Sequence, residues 1–172
     1  YPYLIALPGF RASGQSPTDR AVDVVSNVLR SNASAENQIE AIWALRGSRT
    51  PIATATLRSS TRNTDREIAL RSAAALLSVG DLSGLPAVAS TLEGSRAGLS
   101  EEAYLTVLGS LTELNQPAAV ATLDRLLARG DAGTRKATIQ SLRKMRSPGA
   151  VPSLVRALDD DGRTSIVVDV IG

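Results

Sequence analysis

The chain has 172 residues, of which 43% are apolar, and this is enough to bury the core of one ordinary domain. It contains no cysteine and no histidine, which excludes disulfides, thiolate metal sites and any catalysis or metal binding by histidine. Charged residues number seven basic against four acidic in 1–63, three against seven in 64–123 and nine against six in 124–172. An acidic middle between mildly basic ends is not the continuous basic track of a nucleic-acid-binding protein.

The first 17 residues lack a helical period and are predicted to form an irregular lead-in that caps one end of the core. Three aromatic residues lie here, at Tyr1, Tyr3 and Phe10. Prolines 2 and 8 interrupt the segment, which is too short for a membrane helix or an intact signal peptide. The sequence does not determine the cellular compartment. A cytoplasmic location is slightly favoured, and the alternative is that a signal or membrane anchor precedes this segment.

Apolar residues at helical spacing, separated by Gly, Pro, Ser and Asn turns, predict a succession of short helices. The predicted helices are 18–30, 36–46, 50–58, 64–79, 83–92, 100–114, 118–129, 134–145, a ninth that follows Ser147 and reaches Leu158, and a truncated one at 163–172. Val24, Trp43, Val151 and Val155 are predicted to face the core.

Two helix starts carry capping signals. Thr64 is followed three residues later by Glu67, as in a capping box. Ser147 precedes Pro148, and a serine before a proline is typical of an N-cap and first helical position. We therefore expect Thr64 and Ser147 to cap the helices that follow them.

The helices form a repeat. The last strong leucines of successive second helices lie 35, 35 and 31 residues apart, at Leu57, Leu92, Leu127 and Leu158. A proline stands six residues before three of these leucines. Two helices per period predict an all-α fold, a right-handed α-solenoid of about five helix pairs. The predicted single repeat domain, 18–172, consists of units at about 18–33, 34–60, 64–94, 99–130, 133–160 and a truncated 162–172.

The clearest unit begins Thr134-Arg135-Lys136-Ala137 and continues, after a turn, as Ala150-Val151-Pro152-Ser153-Leu154. It resembles the HEAT family, specifically the short bacterial repeats called PBS-lyase HEAT-like repeats. Unit 64–94 follows the same pattern, whereas unit 99–130 has Asn115 and Ala121 where the pattern has Gly and Pro. The resemblance implies a superhelix whose second helices line a concave face, the surface that such proteins usually use for binding.

The outward positions of the second helices are the candidate binding residues. They are Thr54, Arg58, Ser90, Glu93, Asp124, Arg125, Ser153 and Arg156. Arg125 and Arg156 occupy equivalent positions in neighbouring units and are predicted to present a paired-arginine patch to a carboxylate or phosphate. The alternative interpretation is two solvated arginines with local acidic partners such as Asp124, Asp159 and Asp160.

No catalytic, cofactor or metal site is predicted. The acids at 159–161 are consecutive and lack the alternating spacing of a calcium loop, so they indicate an inter-repeat turn. Glu101 and Glu102 are explained by their place in the first turn of a helix. Trp43 is predicted to be a core residue because it takes the position of Leu76, four residues before a turn glycine.

The sequence therefore favours a non-catalytic, monomeric scaffold that binds an unidentified protein partner on the concave face and needs no cofactor. Two alternatives stay open. One is nucleic-acid binding, which the acidic middle and the shortage of aromatic residues argue against. The other is the attachment or detachment of a tetrapyrrole (bilin), which rests on the name of the repeat alone.

Overall fold

The computed structural model describes residues 17–31, 33–93 and 98–160, and over these residues the chain forms nine α-helices and no strand. They are α1 (Pro17–Arg30), α2 (Ala35–Leu45), α3 (Pro51–Ser60), α4 (Arg66–Ser78), α5 (Leu85–Leu92), α6 (Glu101–Leu114), α7 (Pro117–Arg129), α8 (Ala132–Met145) and α9 (Val151–Asp160). Short 3₁₀ turns, Leu82–Gly84 and Pro148–Ala150, precede α5 and α9. The predicted succession of short helices is confirmed, while 1–16 and 161–172 lie outside the described residues.

The helices stack in two layers. The first helices α2, α4, α6 and α8 contact one another in succession, and on the other side α5 contacts α7. Helix α1 has no partner of its own among the described residues and packs against both α2 and α3. The all-α solenoid is thus confirmed, with four complete pairs and a lone first helix described. The right hand of the superhelix stays a prediction.

The four pairs turn in the same way. Each first helix is followed by a residue with positive φ: Gly47 (84°), Gly80 (83°), Asn115 (43°) and Arg146 (49°). Glycine adopts this left-handed conformation without strain, and asparagine tolerates it better than most residues. The left-handed residue ends the first helix and reverses the direction of the chain. The second helix therefore runs antiparallel to the first.

Side-chain caps fix most helix starts, although two predicted caps are wrong. Asp65, not Thr64, caps α4, because its carboxylate accepts hydrogen bonds from Glu67 N (2.8 Å) and Ile68 N (3.3 Å). Ser147 makes no side-chain capping bond, since the 3₁₀ turn intervenes and Ala150 N donates instead to the Ser147 carbonyl (2.9 Å). Ser34, Thr50, Ser100 and Asp131 cap α2, α3, α6 and α8.

The core consists of two apolar clusters that meet on α4. One joins α1 to α4 around Leu45, Leu57 and Leu76, and the other joins α4 to α9 around Leu111 and Leu142. Helix α4 is buried on every side from Ile68 to Leu77 because α2, α3, α5 and α6 all contact it. Core formation therefore depends on contacts between neighbouring pairs, as expected for a solenoid.

Three valines predicted to face the core are exposed. Val24 is 65% exposed because it lies on the side of α1 opposite its neighbours, whereas Leu29 is buried. Val151 (55%) and Val155 (50%) lie on the flank of α9 that no described helix follows. Val120, which occupies in α7 the position of Val151, is only 9% exposed.

Gly84 is expected to be intolerant of alanine. A Cβ atom at this position would lie 2.6 Å from the carbonyl oxygen of Ala73, so α4 and the turn before α5 would have to separate. Gly84→Ala should lower the free energy of unfolding by about 1–3 kcal/mol, the usual range for overpacking. Gly109→Ala is the control, since an added Cβ in this exposed helical position meets nothing within 4 Å. It should stabilise by about 0.5–1 kcal/mol in urea unfolding, and equal effects of both changes would contradict the close approach.

Candidate functional site

The arginines of the second helices pair with acids of the neighbouring repeat. Arg58 on α3 contacts Asp81 at the start of the next second-helix segment, with 2.7 Å between Nη2 and Oδ2. Arg156 on α9 contacts Asp124 on α7 at the same distance, Nη2 to Oδ1. These arginines are more than half exposed, so each pair contributes little to stability, about 0–1 kcal/mol. These ion pairs instead fix the orientation of the charged groups on the outward side of the second helices.

Asp81 has a pKa below its ordinary value. Burial raises the pKa of this carboxyl, but hydrogen bonds from Ser83 and the guanidinium of Arg58 lower it by more. The Ser83 backbone N–H donates to Oδ1 at 3.0 Å, and Arg58 Nε donates to Oδ2 at 3.0 Å. The Asp81 carboxylate is thus kept ionised where the α2–α3 helix pair meets the α4–α5 helix pair.

The outward surface of α3, α5, α7 and α9, which we call the second-helix surface, contains an open groove between α5 and α7 of about 540 Å³. The groove is lined by Leu85, Pro86, Ala89, Ser90, Glu93, Ala118, Ala121, Thr122 and Arg125. Alanines from both helices make its floor, and Glu93 and Arg125 stand at one end. The groove exists because small side chains face each other where the two second helices meet.

Glu93 carries an unsatisfied acceptor in this groove. Its Oε2 accepts a hydrogen bond from Arg129 Nη1 at 2.9 Å, whereas its Oε1 is buried and has no hydrogen-bond partner. Arg125 Nε lies 3.8 Å from Oε1, which is an ion-pair contact but too long for a hydrogen bond. A buried acceptor without a donor is uncommon in proteins, and here the nearby charge of Arg125 compensates that of the carboxylate.

A second, smaller groove of about 220 Å³ lies between α7 and α9. It is lined by Asp124, Leu127, Ala128, Arg135, Ser153, Arg156 and Ala157. Again small side chains form much of the floor and an arginine–acid pair borders it. Both grooves open between consecutive second helices, so they repeat with the period of the solenoid.

The sequence itself then identifies the repeat. Residues 88–168, which include α6 to α9 and most of α5, match the family model of HEAT repeats. This part of the chain has the sequence of HEAT repeats. HEAT repeats commonly mediate protein–protein interaction and are generally a scaffold without enzymatic activity. No curated protein matches the chain, and the PBS-lyase subtype stays a prediction.

Most of the predicted binding residues belong to the HEAT-repeat grooves. Ser90 and Arg125 line the first groove, and Asp124 and Arg156 line the second. Arg125 and Arg156 each contact an acid of the preceding repeat, Glu93 and Asp124 respectively, so they do not form a bare cationic patch.

Three other predicted positions differ from expectation or lie apart. Ser153 was expected to point outward but is only 3% exposed, because it lies on the floor of the second groove. Thr54 is half-buried, and its hydroxyl donates to the carbonyls of Thr50 and Pro51 (3.1 Å each). Arg58 lies on the same helix as Thr54, and neither residue lines the α5–α7 groove or the α7–α9 groove.

The alanines of the groove floor are the residues that sequence reasoning missed. Ala89, Ala118 and Ala121 carry no functional group, so their only signal is small size at the positions where second helices face each other. Ala121, at the usual position of proline, is exposed.

The prediction that Trp43 is a core residue is wrong, since 37% of it is exposed. Ala41, Ile42 and Leu45 form the buried side of α2, which leaves Trp43 at the rim. Its ring lies beside small Ala74 and Ala75 of α4 in a shallow depression. The guanidinium carbon of Arg46 stands 5.1 Å from the ring centroid, a cation–π contact worth about 0.5–1 kcal/mol at an exposed site.

Over the described ranges, no three residues of the His, Cys, Asp and Glu types come together as metal ligands. Within the same ranges no helix has the length and apolar character needed to cross a bilayer. Glu102 is engaged with Arg71 of the preceding pair at 3.3 Å, which gives it a structural partner.

Proposed function

We propose that this HEAT-repeat protein is a non-catalytic scaffold that binds a protein partner on the second-helix surface, the predicted concave face. The observation that carries the proposal is the pair of neighbouring grooves between α5, α7 and α9. Their spacing follows the repeat, so consecutive side chains of one partner segment can occupy consecutive grooves. Grooves formed by rigid helices also reduce the ordering cost of binding.

The chemistry of the grooves suits a polypeptide. The floor of the α5–α7 groove is apolar, with Leu85, Pro86 and alanines, and accepts aliphatic side chains. At one end of this groove the ion pair of Glu93 and Arg125 would offer a partner one charge of each sign. A mixture of apolar floor and a few fixed polar groups is typical of specific protein interfaces.

The charges of the surface do not favour nucleic acid. Arg58, Arg125 and Arg156 each stand beside a carboxylate, and those carboxylates repel a phosphate backbone. Alternating signs instead suit a partner that presents both charges, as a protein surface does.

Filling the first groove should weaken binding without unfolding the chain. Ala121→Arg places a long side chain over the groove floor, whereas Ala44→Arg makes the same change at an exposed position of α2, in the other layer. The immobilised wild-type chain would first capture partners from cell extract, and mass spectrometry would identify them. Binding of the purified partner by calorimetry should then weaken at least about tenfold for Ala121→Arg, about 1.4 kcal/mol, and by less than about twofold for Ala44→Arg.

Two outcomes would overturn the proposal. In the first, Ala121→Arg binds the partner as tightly as the wild-type chain, which would place the interface elsewhere. In the second, the chain captures nucleic acid or a coloured tetrapyrrole and no protein, which would favour one of the alternative functions. Thermal unfolding of both variants checks that each is folded.

A further inference from the structure

Helix α8 has an unusual charge composition. It contains Arg135, Lys136, Arg143 and Lys144 and no acidic residue, and Arg146 follows directly. The two lysines of the entire chain are both on this helix. Arg135 lines the groove between α7 and α9. Because α8 belongs to the layer of first helices, the other four charges are separate from the grooves of the second-helix surface.

Four residues of α8 lie on one face. Lys136, Gln140, Arg143 and Lys144 follow the spacing i, i+4, i+7 and i+8, which places them on one side of a helix. The opposite side is buried and includes Thr138, Leu142 and Met145. Together with Arg146, the four residues form what we call the α8 basic face, and Gln140, Arg143, Lys144 and Arg146 surround an open depression of about 510 Å³.

Among the described residues, no carboxylate neutralises the charges of the α8 basic face. In the part of the chain that the structure describes, neither Lys136 nor Lys144 nor either of Arg143 and Arg146 lies within ion-pair distance of a carboxylate. The arginines of the second helices, by contrast, have acidic partners. The helix macrodipole favours cations in the last turn and so accounts for Arg143 and Lys144, but it does not account for Lys136 in the second turn.

Arg146 strengthens the case. It adopts φ of 49°, in the position that glycine takes after α2 and α4. A long side chain is unfavourable in this left-handed conformation, where glycine is unstrained. Arginine at this position adds a cation at the rim of the depression, although it makes the turn less stable than glycine would.

From this geometry we infer that the α8 basic face binds an extended acidic peptide segment of a partner protein. The face is about 15 Å long, ten residues at 1.5 Å each. An extended peptide rises about 3.3 Å per residue, so alternate acidic side chains of a five-residue segment match this length. Gln140 lies among the cations and can donate and accept hydrogen bonds with the peptide backbone.

The surroundings disfavour a longer polyanion. Helix α6 packs directly beside α8 and exposes Glu101, Glu102 and Glu113. These acids restrict the positive potential to a single helix, whereas duplex DNA needs cations along several phosphates of both strands. None of the described residues that line the depression is aromatic and could stack on a base.

Fluorescence anisotropy tests the inference with a fluorescein-labelled decapeptide of alternating glutamate and serine. The wild-type chain should bind it saturably, and binding should weaken as salt rises because the charges are exposed. Lys136→Gln/Arg143→Gln/Lys144→Gln/Arg146→Gln should weaken binding at least about tenfold. The matched control, Arg58→Gln/Arg125→Gln/Arg129→Gln/Arg156→Gln, removes the same number of cations from the second-helix surface and should change binding by less than about twofold.

Several results would overturn the inference. The inference would be wrong if the chain did not bind the glutamate peptide saturably, or if it bound a glutamine–serine peptide equally well. A fifteen-residue oligothymidylate that binds tighter than the peptide at the same salt would identify nucleic acid as the ligand. Equal losses in the two quadruple variants would show that net charge alone attracts the peptide. Sedimentation showing self-association that only the α8 variant loses would assign the face to a second copy of this chain.

Discussion

Replacing Leu111 by alanine is expected to lower the free energy of unfolding by about 2–5 kcal/mol. Leu111 lies on α6, is fully buried and belongs to the cluster that joins α4 to α9. The loss combines the transfer of the missing methyl groups with a cavity that the neighbouring helices cannot close. Leu105→Ala is the matched control, because Leu105 is on the same helix and is 52% exposed. It should change stability by less than about 0.5 kcal/mol.

Urea unfolding monitored by circular dichroism measures both changes. Equal losses for the two variants would mean that the buried side of α6 is assigned incorrectly. Hydrogen exchange adds a second test, since pairs in a solenoid contact mainly their neighbours. In the Leu111→Ala variant, amides of α6 to α9 should lose protection before those of α1 to α3. Uniform loss throughout the chain would contradict the stack of pairs.

The helix pairs could be predicted from the sequence because their signals are local. Turn residues such as Gly47, Gly80 and Asn115 interrupt the apolar period where the structure has its left-handed residues. Recurrence of leucine every 31–35 residues then predicts that the units stack. The shortest-range signals were less reliable. Asp65, and not Thr64, caps α4. The capping box predicted with Thr64 requires the Glu67 side chain, but this side chain accepts hydrogen bonds from Arg71 and Ser100 instead.

The wrong predictions of burial concern residues on helices that have a neighbouring helix on one side only. Periodicity shows that Val24 and Val151 lie on an apolar side, but not whether another helix covers that side. Trp43 was wrongly placed by counting from a turn glycine, since the buried stripe of α2 runs through Ile42 and Leu45 instead. Such differences depend on contacts between pairs and are absent from any one repeat.

The candidate site could be predicted only in part for the same reason. Outward arginines such as Arg125 and Arg156 follow from the repeat alignment, but their acidic partners lie about one repeat away in the chain. The grooves arise between α5, α7 and α9, where alanines face each other across roughly thirty residues of sequence. Alanine carries no chemical signal, so a groove of this kind is visible only in the folded structure.

An ion network around the buried arginine Arg71 joins the second and third complete pairs. Arg71 on α4 is only 6% exposed, and its guanidinium contacts Glu67 (Nη2 to Oε1, 2.8 Å) and Glu102 on α6 (Nη2 to Oε2, 3.3 Å). The Ser100 hydroxyl, at the cap of α6, donates to Glu67 Oε1 at 2.8 Å. Removing one member of a buried pair costs more than the pair contributes, because the remaining charge loses its partner in a desolvated site.

Arg71→Ala is therefore expected to lower the free energy of unfolding by about 1–3 kcal/mol at pH 7, because Glu67 is only partly buried. Arg129→Ala removes an exposed arginine from Glu93 and should cost no more than about 1 kcal/mol. Arg71→Met/Glu67→Gln, which leaves no unpaired charge at Glu67, should recover most of the loss. Urea unfolding measures all three variants, and a loss for Arg71→Ala as small as that for Arg129→Ala would show that the network is not desolvated.

The effect of Arg71→Ala should depend on pH in a direction fixed by Glu67. Burial raises the pKa of Glu67, but hydrogen bonds from Ser100 and Arg71 and the charge of Arg71 together hold it below 4.5, its ordinary value. A carboxyl whose folded pKa is depressed stabilises the fold above its unfolded pKa and loses that contribution as pH falls through the folded pKa. Without Arg71, burial of Glu67 is less opposed and its pKa rises, so the variant no longer gains from ionisation of this group. The difference in stability between wild type and Arg71→Ala should consequently be largest near pH 7 and shrink below about pH 4.5; a difference that stays constant from pH 7 to pH 3 would exclude Glu67 as the group responsible.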